Sequence, residues 1–231
     1  MSPRKPRPPK ERPPRPDAVD TLWRVFLAVP LPEETKAAAA AVVDDLRPLG
    51  WPMRWVDPAG LHLTLHFLGE QPRERVELLR LGLPAVVADH TAFDLRTANL
   101  GCFPSVRHPR VLWLGLYGPV HRLAALQTAL GTALADWEWD LPEEEFHPHI
   151  TLGRVRNDDG PNVRVRDLPA AMKDRLADPA NGVMAGPPTS PVPVDEVHLV
   201  RSHLSHEGAS YEVISRFPLR RDSAFGEEPT P

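Results

Sequence analysis

Two short stretches of the chain place a threonine two residues after a histidine. His62 precedes Thr64 in the segment HLTL, and His149 precedes Thr151 in the segment HITL, 87 residues further along. Two imidazoles are what acid–base cleavage of a phosphodiester requires, because one takes a proton from the attacking group and the other protonates the leaving oxygen. With a reference pKa of about 6.5, histidine populates both forms near neutral pH. The threonine hydroxyls are suited to donate hydrogen bonds to phosphate oxygens.

Both repeats lie in apolar segments that predict β-strands over residues 61–68 and 147–155. Side chains alternate between the two faces of a strand, so each strand presents its imidazole and its hydroxyl together. The opposite face of the first strand carries the predicted core residues, which are Leu61, Leu63, Leu65 and Phe67. If the two strands face a shared cleft, two imidazoles and two hydroxyls converge there.

Arg154 follows the second repeat and could add a fixed positive charge near a bound phosphate. Alternation alone places Arg154 on the face opposite His149. The assignment therefore requires a bulge or turn, which Gly153 could supply.

The remaining pattern predicts an α+β fold. Helices are predicted over residues 33–46, 72–89 and 119–136, and further strands over 22–32, 53–56, 93–103, 110–117, 194–204 and 211–219. A short helix near 167–177 and a flexible segment over 181–193 complete the domain. Short loops between many strands favour antiparallel pairing. We expect two pseudo-symmetric lobes of antiparallel strands, with helices packed outside and the motifs facing a central cleft.

The two ends of the chain differ from this folded domain, which we predict over residues 21–220. Residues 1–16 contain seven prolines and six basic residues against one glutamate, so residues 1–20 are predicted to be a disordered basic arm. Residues 221–231 are predicted to be a flexible acidic tail. The chain has a single cysteine, Cys102, no apolar signal region and no long apolar run. These features exclude a disulfide framework and a membrane span, and they favour the cytoplasm.

The histidines allow two other interpretations. The first is that they are structural and satisfied within the core. The second is a zinc site, in which His147 and His149 share one face and His62 or His66 joins them. No acidic residue or cysteine stands at close ligand spacing beside either motif, so acid–base catalysis is favoured over zinc. His66 and His147 do not repeat the His-x-Thr unit and are predicted to be exposed polar residues.

The residues resemble a known family beyond the two tetrapeptides. The segments RVFLAVPLP, WVDPAGLHLTLHFLGE, GCFPSVRHPRVLWLGL, FHPHITLGRV and VDEVHLVRSHLSHEGASYEVISRFPL occur in the order and spacing of the 2H phosphoesterases. Among the 2H phosphoesterases, these segments resemble those of the bacterial RNA 2′,3′-cyclic phosphodiesterases, formerly called 2′-5′ RNA ligases. The likeness covers residues 22–219.

The resemblance implies a two-lobed fold and metal-independent hydrolysis of an RNA 2′,3′-cyclic phosphate to a 2′-phosphate. It implies that His62 is the proton donor to the leaving 3′ oxygen and that His149 is the proton acceptor that activates water. Thr64 and Thr151 would bind the phosphate together with Arg154. No cofactor is expected, and we expect a monomer.

Several alternatives stay open at this point. They are the reverse ligation that forms a 2′-5′ linkage, action on a small cyclic nucleotide or an ADP-ribose cyclic phosphate, and a noncatalytic module that binds RNA ends. The family often has lysine at the position of His66, so backbone contacts to the substrate could differ here. Phe103 and Tyr211 are candidates for stacking on a base.

Overall fold

A computed structural model describes residues 22–105, 108–142, 145–156, 189–205 and 208–221. The strands, in chain order, are β1 (Leu22–Pro30), β2 (Met53–Trp55), β3 (His62–Pro72), β4 (Phe93–Ser105), β5 (His108–Tyr117), β6 (Ile150–Val155), β7 (Pro191–Val194), β8 (Glu196–Ser205) and β9 (Gly208–Pro218). The helices are α1 (Glu33–Leu46), α2 (Arg73–Ala88) and α3 (Val120–Asp136). No described helix has the length and apolar composition needed to cross a bilayer.

The strands form one curled, antiparallel sheet with the two motif strands at its centre. Within the described residues the order is β7-β4-β5-β6-β3-β1-β8-β9. β2 pairs with β6 on the side that faces away from β5. One lobe contains β3, β1, β8 and β9, and the other contains β6, β5, β4 and β7. The lobes meet where Leu63 pairs with Ile150. The predicted α+β architecture of two antiparallel lobes is confirmed.

The helices cover one face of this sheet and leave the other open. The inner side of α3 buries Leu123, Leu126, Leu130 and Leu134, which recur at helical spacing. They belong to the same core cluster as Val25, Leu27 and Val29 of β1. The alternate β1 residues Phe26 and Ala28 form a separate small cluster with Val200. We call the face that carries Phe26 and Ala28 the groove face.

β7 corrects the prediction of flexibility at the end of the segment 181–193, of which residues 181–188 lie outside the described residues. Residues Pro191–Val194 pair with β4 and form the strand at one edge of the sheet. Proline lacks the N–H that an interior ladder requires, and it is tolerated at an edge for this reason. The arm over 1–20, the helix near 167–177 and tail residues 222–231 lie outside the described residues.

Strand β3 departs from strict alternation after Thr64. Its pairing with β1 shifts register twice, at the positions of Leu65 and Leu68. Leu68 takes a core position at 3% exposure, whereas Phe67, which was predicted to be buried, is 52% exposed. Alternation also predicts that His66 shares the face of His62, but His66 lies on the face covered by the helices. The predictions for Phe67 and for His66 were therefore both wrong. Its Nε2–H donates to the carbonyl of Gln127 in α3 at 2.8 Å.

Candidate active site

The two motifs lie side by side where the lobes meet. Leu63 and Ile150 are fully buried and point into the core beneath the junction. The residues on either side of this pair therefore point to the groove face. Antiparallel pairing places His62 on the side of Thr151, and it places Thr64 on the side of the other histidine.

His62 is held by a backbone contact and by an aromatic ring. Its Nδ1 lies 2.7 Å from the carbonyl oxygen of Gly60. A carbonyl only accepts hydrogen bonds, so Nδ1 carries the proton and Nε2 is left for the groove. The imidazole also stacks on Phe26, with ring centroids 4.6 Å apart and an interplanar angle of 29°.

His149 has the same arrangement, although it lies just before the first residue of β6 rather than within the strand. Its Nδ1–H donates to the carbonyl of His147 at 2.6 Å. Phe103 approaches the imidazole edge-on at 5.1 Å, and Trp113 lies 6.1 Å away. Each motif histidine thus donates Nδ1–H to the carbonyl two residues earlier in the chain. Both rings adopt the tautomer whose Nε2 is free to exchange a proton.

The pKa of each histidine lies below its ordinary value. Burial is the largest cause for both His62 and His149, because desolvation disfavours the charged imidazolium. The backbone carbonyls act in the opposite sense and raise each pKa, since the protonated ring is the stronger donor. The positive charge of Arg154 lowers the pKa of both histidines, and His149 further lowers that of His62. These charge effects indicate that His62, His149 and Arg154 lie close to one another.

Arg154 reaches the site through a bulge in β6. Leu112 and Trp113 are consecutive on β5, but they pair with Gly153 and Thr151, so β6 contains one extra residue. The extra residue restores Arg154 to the face of Thr151. A Cβ on Gly153 would come within 2.9 Å of the Trp55 ring and 3.2 Å of a β2 carbonyl. Glycine is therefore suited to this bulge, as the sequence had suggested.

The other candidate residues divide between the groove and the surface. Thr64 and Thr151 are partly exposed beside the histidines, where their hydroxyls can reach a ligand. The His147 side chain is 58% exposed and its Nε2 lies 3.6 Å from a carboxylate oxygen of Glu145. His66 contacts α3 and cannot join a ligand set with His62. Within the described ranges, no three His, Cys, Asp or Glu side chains are grouped to hold a metal ion.

Sequence reasoning missed the groups that orient the imidazoles. The carbonyls of Gly60 and His147 leave no signature in a sequence, because every residue has one. Phe26 and Trp113 lie in segments that the sequence predicts only as strands. Only their position on the same faces as the motif histidines could have indicated a role, and that position requires the strand order.

Comparisons with known proteins identify the family. Residues 32–206 match the family model described as the 2′-5′ RNA ligase superfamily. A protein of Methanothermobacter thermautotrophicus named RNA 2′,3′-cyclic phosphodiesterase is 30% identical over 196 residues, which cover 85% of this chain and 98% of the relative. A protein of the same name from Thermus thermophilus is 32% identical over 204 residues, covering 85% of this chain and 90% of its own.

Solved structures agree with this match. A Thermus thermophilus crystal structure has 32% identity and a TM-score of 0.66, and the match covers 86% of this chain and 99% of that one. The structure of E. coli LigT complexed with 3′-AMP has 26% identity and a TM-score of 0.64, covering 86% of this chain and 98% of the other. With its paired histidine motifs on a curled antiparallel sheet, the chain belongs to the 2′-5′ RNA ligase superfamily of 2H phosphoesterases.

Proposed function

We propose that this protein is an RNA 2′,3′-cyclic phosphodiesterase that opens a terminal cyclic phosphate to a 2′-phosphomonoester. One observation carries the proposal: two histidines are held in the same tautomer, by equivalent backbone contacts, on either side of one register pair. Several relatives, including those of Methanothermobacter and Thermus, bear this activity in their names.

In the proposed reaction the two imidazoles act as base and acid. His149 Nε2 takes a proton from a water molecule, whose oxygen attacks phosphorus in line with the 3′ oxygen. The bond between phosphorus and O3′ breaks, and protonated His62 gives its Nε2 proton to O3′. The phosphate stays attached to O2′, and the two histidines end in exchanged protonation states that solvent resets.

Three side chains bind the phosphate in this proposal. Thr64 and Thr151 donate hydroxyl hydrogen bonds to the non-bridging oxygens, whose negative charge changes position as phosphorus becomes five-coordinate. Arg154 contributes a positively charged guanidinium whose N–H groups can donate to the phosphate oxygens. A bound phosphate also offsets the effect of Arg154 on the histidines, because a negative charge favours the imidazolium required of the acid.

The test uses an oligonucleotide that ends in a 2′,3′-cyclic phosphate. We expect a 2′-phosphate product, and we expect His62→Ala and His149→Ala each to lower kcat/KM by about 10²- to 10⁴-fold. His203→Ala is a matched control, because this partly exposed histidine pairs with Glu212 in the β8–β9 hairpin. Near-full activity in either motif variant would refute the mechanism. A 3′-phosphate product would reverse the leaving group and with it the role of His62.

Metal independence is part of the same proposal. Proton transfer and charge stabilisation are both assigned to side chains, so we expect hydrolysis to continue at an unchanged rate after dialysis against EDTA. The measurement is kcat/KM before and after chelation, with zinc added back as a control. Loss of activity that zinc restores would replace the acid–base mechanism with a metal-assisted one.

A further inference from the structure

The short strand β2 places an arginine on the groove face beside Arg154. Arg54 is the middle residue of β2 and pairs directly with Arg154 of β6. The next pair along the ladder, Met53 and Val155, is buried on the core side at 5% and 7% exposure. Because side chains alternate along each strand and directly paired residues share a face, both arginines point to the groove face, where both are exposed.

The two arginines form a pair of like charges across the ladder. Directly paired residues have Cβ atoms about 4.5–5.5 Å apart, and like charges in this arrangement destabilise a sheet. Among the residues that the structure describes, no carboxylate lies within ion-pair distance of Arg54 or Arg154. Bound anions would remove this repulsion, and a guanidinium is well suited to bind a phosphate. The pair therefore offers positive charge for more than one phosphate group.

The two arginines differ in their effect on the groove histidines. Arg154 lowers the pKa of both His62 and His149, whereas Arg54 contributes to neither shift. Electrostatic interactions between exposed groups weaken with distance and with screening, so the charge of Arg54 lies farther from the two imidazoles than that of Arg154. Arg54 is thus next to the proposed phosphate site without being part of it.

Strands β2 and β3 lie along the same edge of β6, which places Arg54 on the side of His62. β3 meets this edge at Ile150 and β2 meets it further along, while β5 occupies the opposite edge. In the proposed reaction water attacks from the side of His149, so the ribose that carries the leaving 3′ oxygen lies on the side of His62. The phosphodiester that leads to the preceding nucleotide is attached to the 5′ carbon of that ribose. This phosphodiester and Arg54 are therefore on the same side of the reacting phosphorus.

We propose that Arg54 is a second phosphate-binding residue, which binds the phosphodiester between the nucleotide that carries the cyclic phosphate and the nucleotide before it. The inference rests on the proposed function, and it narrows the preferred substrate from cyclic nucleotides in general to the ends of RNA chains. A mononucleotide has no such phosphodiester and engages Arg154 alone. Contacts to phosphates carry no sequence information, so the preference for a chain end does not depend on the bases.

The experiment compares two dinucleotides of the same sequence that end in a 2′,3′-cyclic phosphate. In one the nucleosides are joined by a phosphodiester, and in the other by a methylphosphonate, which has nearly the same shape but no charge. Because exposed ion pairs are weak, the wild type should prefer the charged linkage by about 2- to 10-fold in kcat/KM, and added salt should reduce this preference. Arg54→Gln should abolish the preference by slowing the charged substrate alone. Arg54→Lys, which keeps the positive charge, should retain most of it.

The matched control is Arg80→Gln, which removes the same charge from α2 on the helix-covered side of the sheet. Arg80 pairs there with Glu77 at 2.8 Å. Both substitutions change the net charge equally, so the comparison separates a local contact from general attraction of RNA to the protein. Arg80→Gln should keep the wild-type preference. An unchanged preference in Arg54→Gln would overturn the inference, and so would an equal loss in Arg80→Gln.

The free energy of unfolding in urea distinguishes substrate binding from a structural role. Since Arg54→Gln removes one of two like charges, it should leave this free energy unchanged or raise it. A lower free energy of unfolding, together with equal slowing of both dinucleotides, would make Arg54 a structural residue and overturn the inference.

A binding measurement separates this inference from the proposed function. The two dinucleotides that end in a 2′-phosphate, with the charged and the uncharged linkage, are titrated against wild type and Arg54→Gln by calorimetry. If neither cyclic phosphate is hydrolysed, the proposed function fails, while a tighter binding of the charged linkage that Arg54→Gln removes would still support the second phosphate site. Hydrolysis of both dinucleotides by the wild type with equal kcat/KM would refute the second site and leave the proposed function in place.

Discussion

Replacing Arg154 with glutamine removes a positive charge that acts on both groove histidines. The guanidinium lowers the pKa of His62 and of His149, so its loss should raise both values. In the proposed reaction one histidine must be neutral and the other protonated, which gives a bell-shaped dependence of kcat/KM on pH in the free enzyme. Because burial and Arg154 place both pKa values below the ordinary value of about 6.5, we expect the alkaline limb of the wild type below that pH.

The same substitution also removes a charged donor from the phosphate. A hydrogen bond to a charged group contributes about 1.5–3 kcal/mol, which corresponds to a loss of about 10- to 150-fold in kcat/KM. The upward movement of both pKa values opposes this loss at high pH and adds to it at low pH. The ratio of wild-type to variant kcat/KM should therefore decrease as pH rises. Arg154→Lys keeps the charge and should leave the bell in place.

The assay is kcat/KM for a cyclic-phosphate-ended oligonucleotide measured from pH 5 to pH 9. Arg156→Gln is the matched control, because this exposed arginine follows β6 and does not contribute to the pKa shift of either histidine. Its bell and its maximum should equal those of the wild type. If the bell of Arg154→Gln stays in place or moves to lower pH, Arg154 does not act on the histidines as described.

Four further outcomes are expected. His66→Ala should lower the free energy of unfolding in urea by about 1–3 kcal/mol, since it loses a bond to α3, while kcat/KM stays unchanged; a large loss of activity would contradict its structural role. Gly153→Ala should destabilise the protein by about 1–3 kcal/mol in the same assay, because its Cβ meets β2, and an unchanged stability would show that the bulge tolerates a side chain. Thr64→Val should lower kcat/KM by about 10-fold or more if its hydroxyl donates to the charged phosphate, and Thr151→Val should do the same. The free energy of unfolding should fall as pH decreases through the ordinary histidine pKa of about 6.5, because His62 has a lowered pKa and the unfolded chain binds the proton more tightly; an increase over that range would contradict the sign.

Elements that depend on local pattern were predictable. The helix over residues 33–46 has the bounds of α1, because a proline precedes it and acidic residues occupy its first turn. The leucines of α3 recur at helical spacing in the sequence, and this spacing coincides with the buried side of the helix. The repeated His-x-Thr unit likewise identified which histidines lie together. Each of these patterns is formed by residues that are close together in the chain, so a single sequence is enough to show it.

Features that depend on strand pairing were not predictable in the same way. The β3 irregularities arise from its register with β1, so neither the exposure of Phe67 nor the helix contact of His66 follows from alternation. The β6 bulge was anticipated only as a condition for Arg154 to reach the site. Edge strand β7 contains two prolines and resembles a loop in sequence. In each case the deciding interaction joins residues that are distant in the chain.

The carbonyl contacts of the two histidines have a consequence for how the family can vary. An acceptor that belongs to the main chain survives the substitution of its own side chain, so the tautomer of His149 should persist through any change at position 147 that keeps the backbone path. Saturation mutagenesis should accordingly find sharp intolerance at the two imidazoles without a third polar position of equal importance. Comparisons that search for a carboxylate–histidine pair would overlook such a site. The acceptors that fix the two tautomers depend on backbone geometry rather than on residue identity.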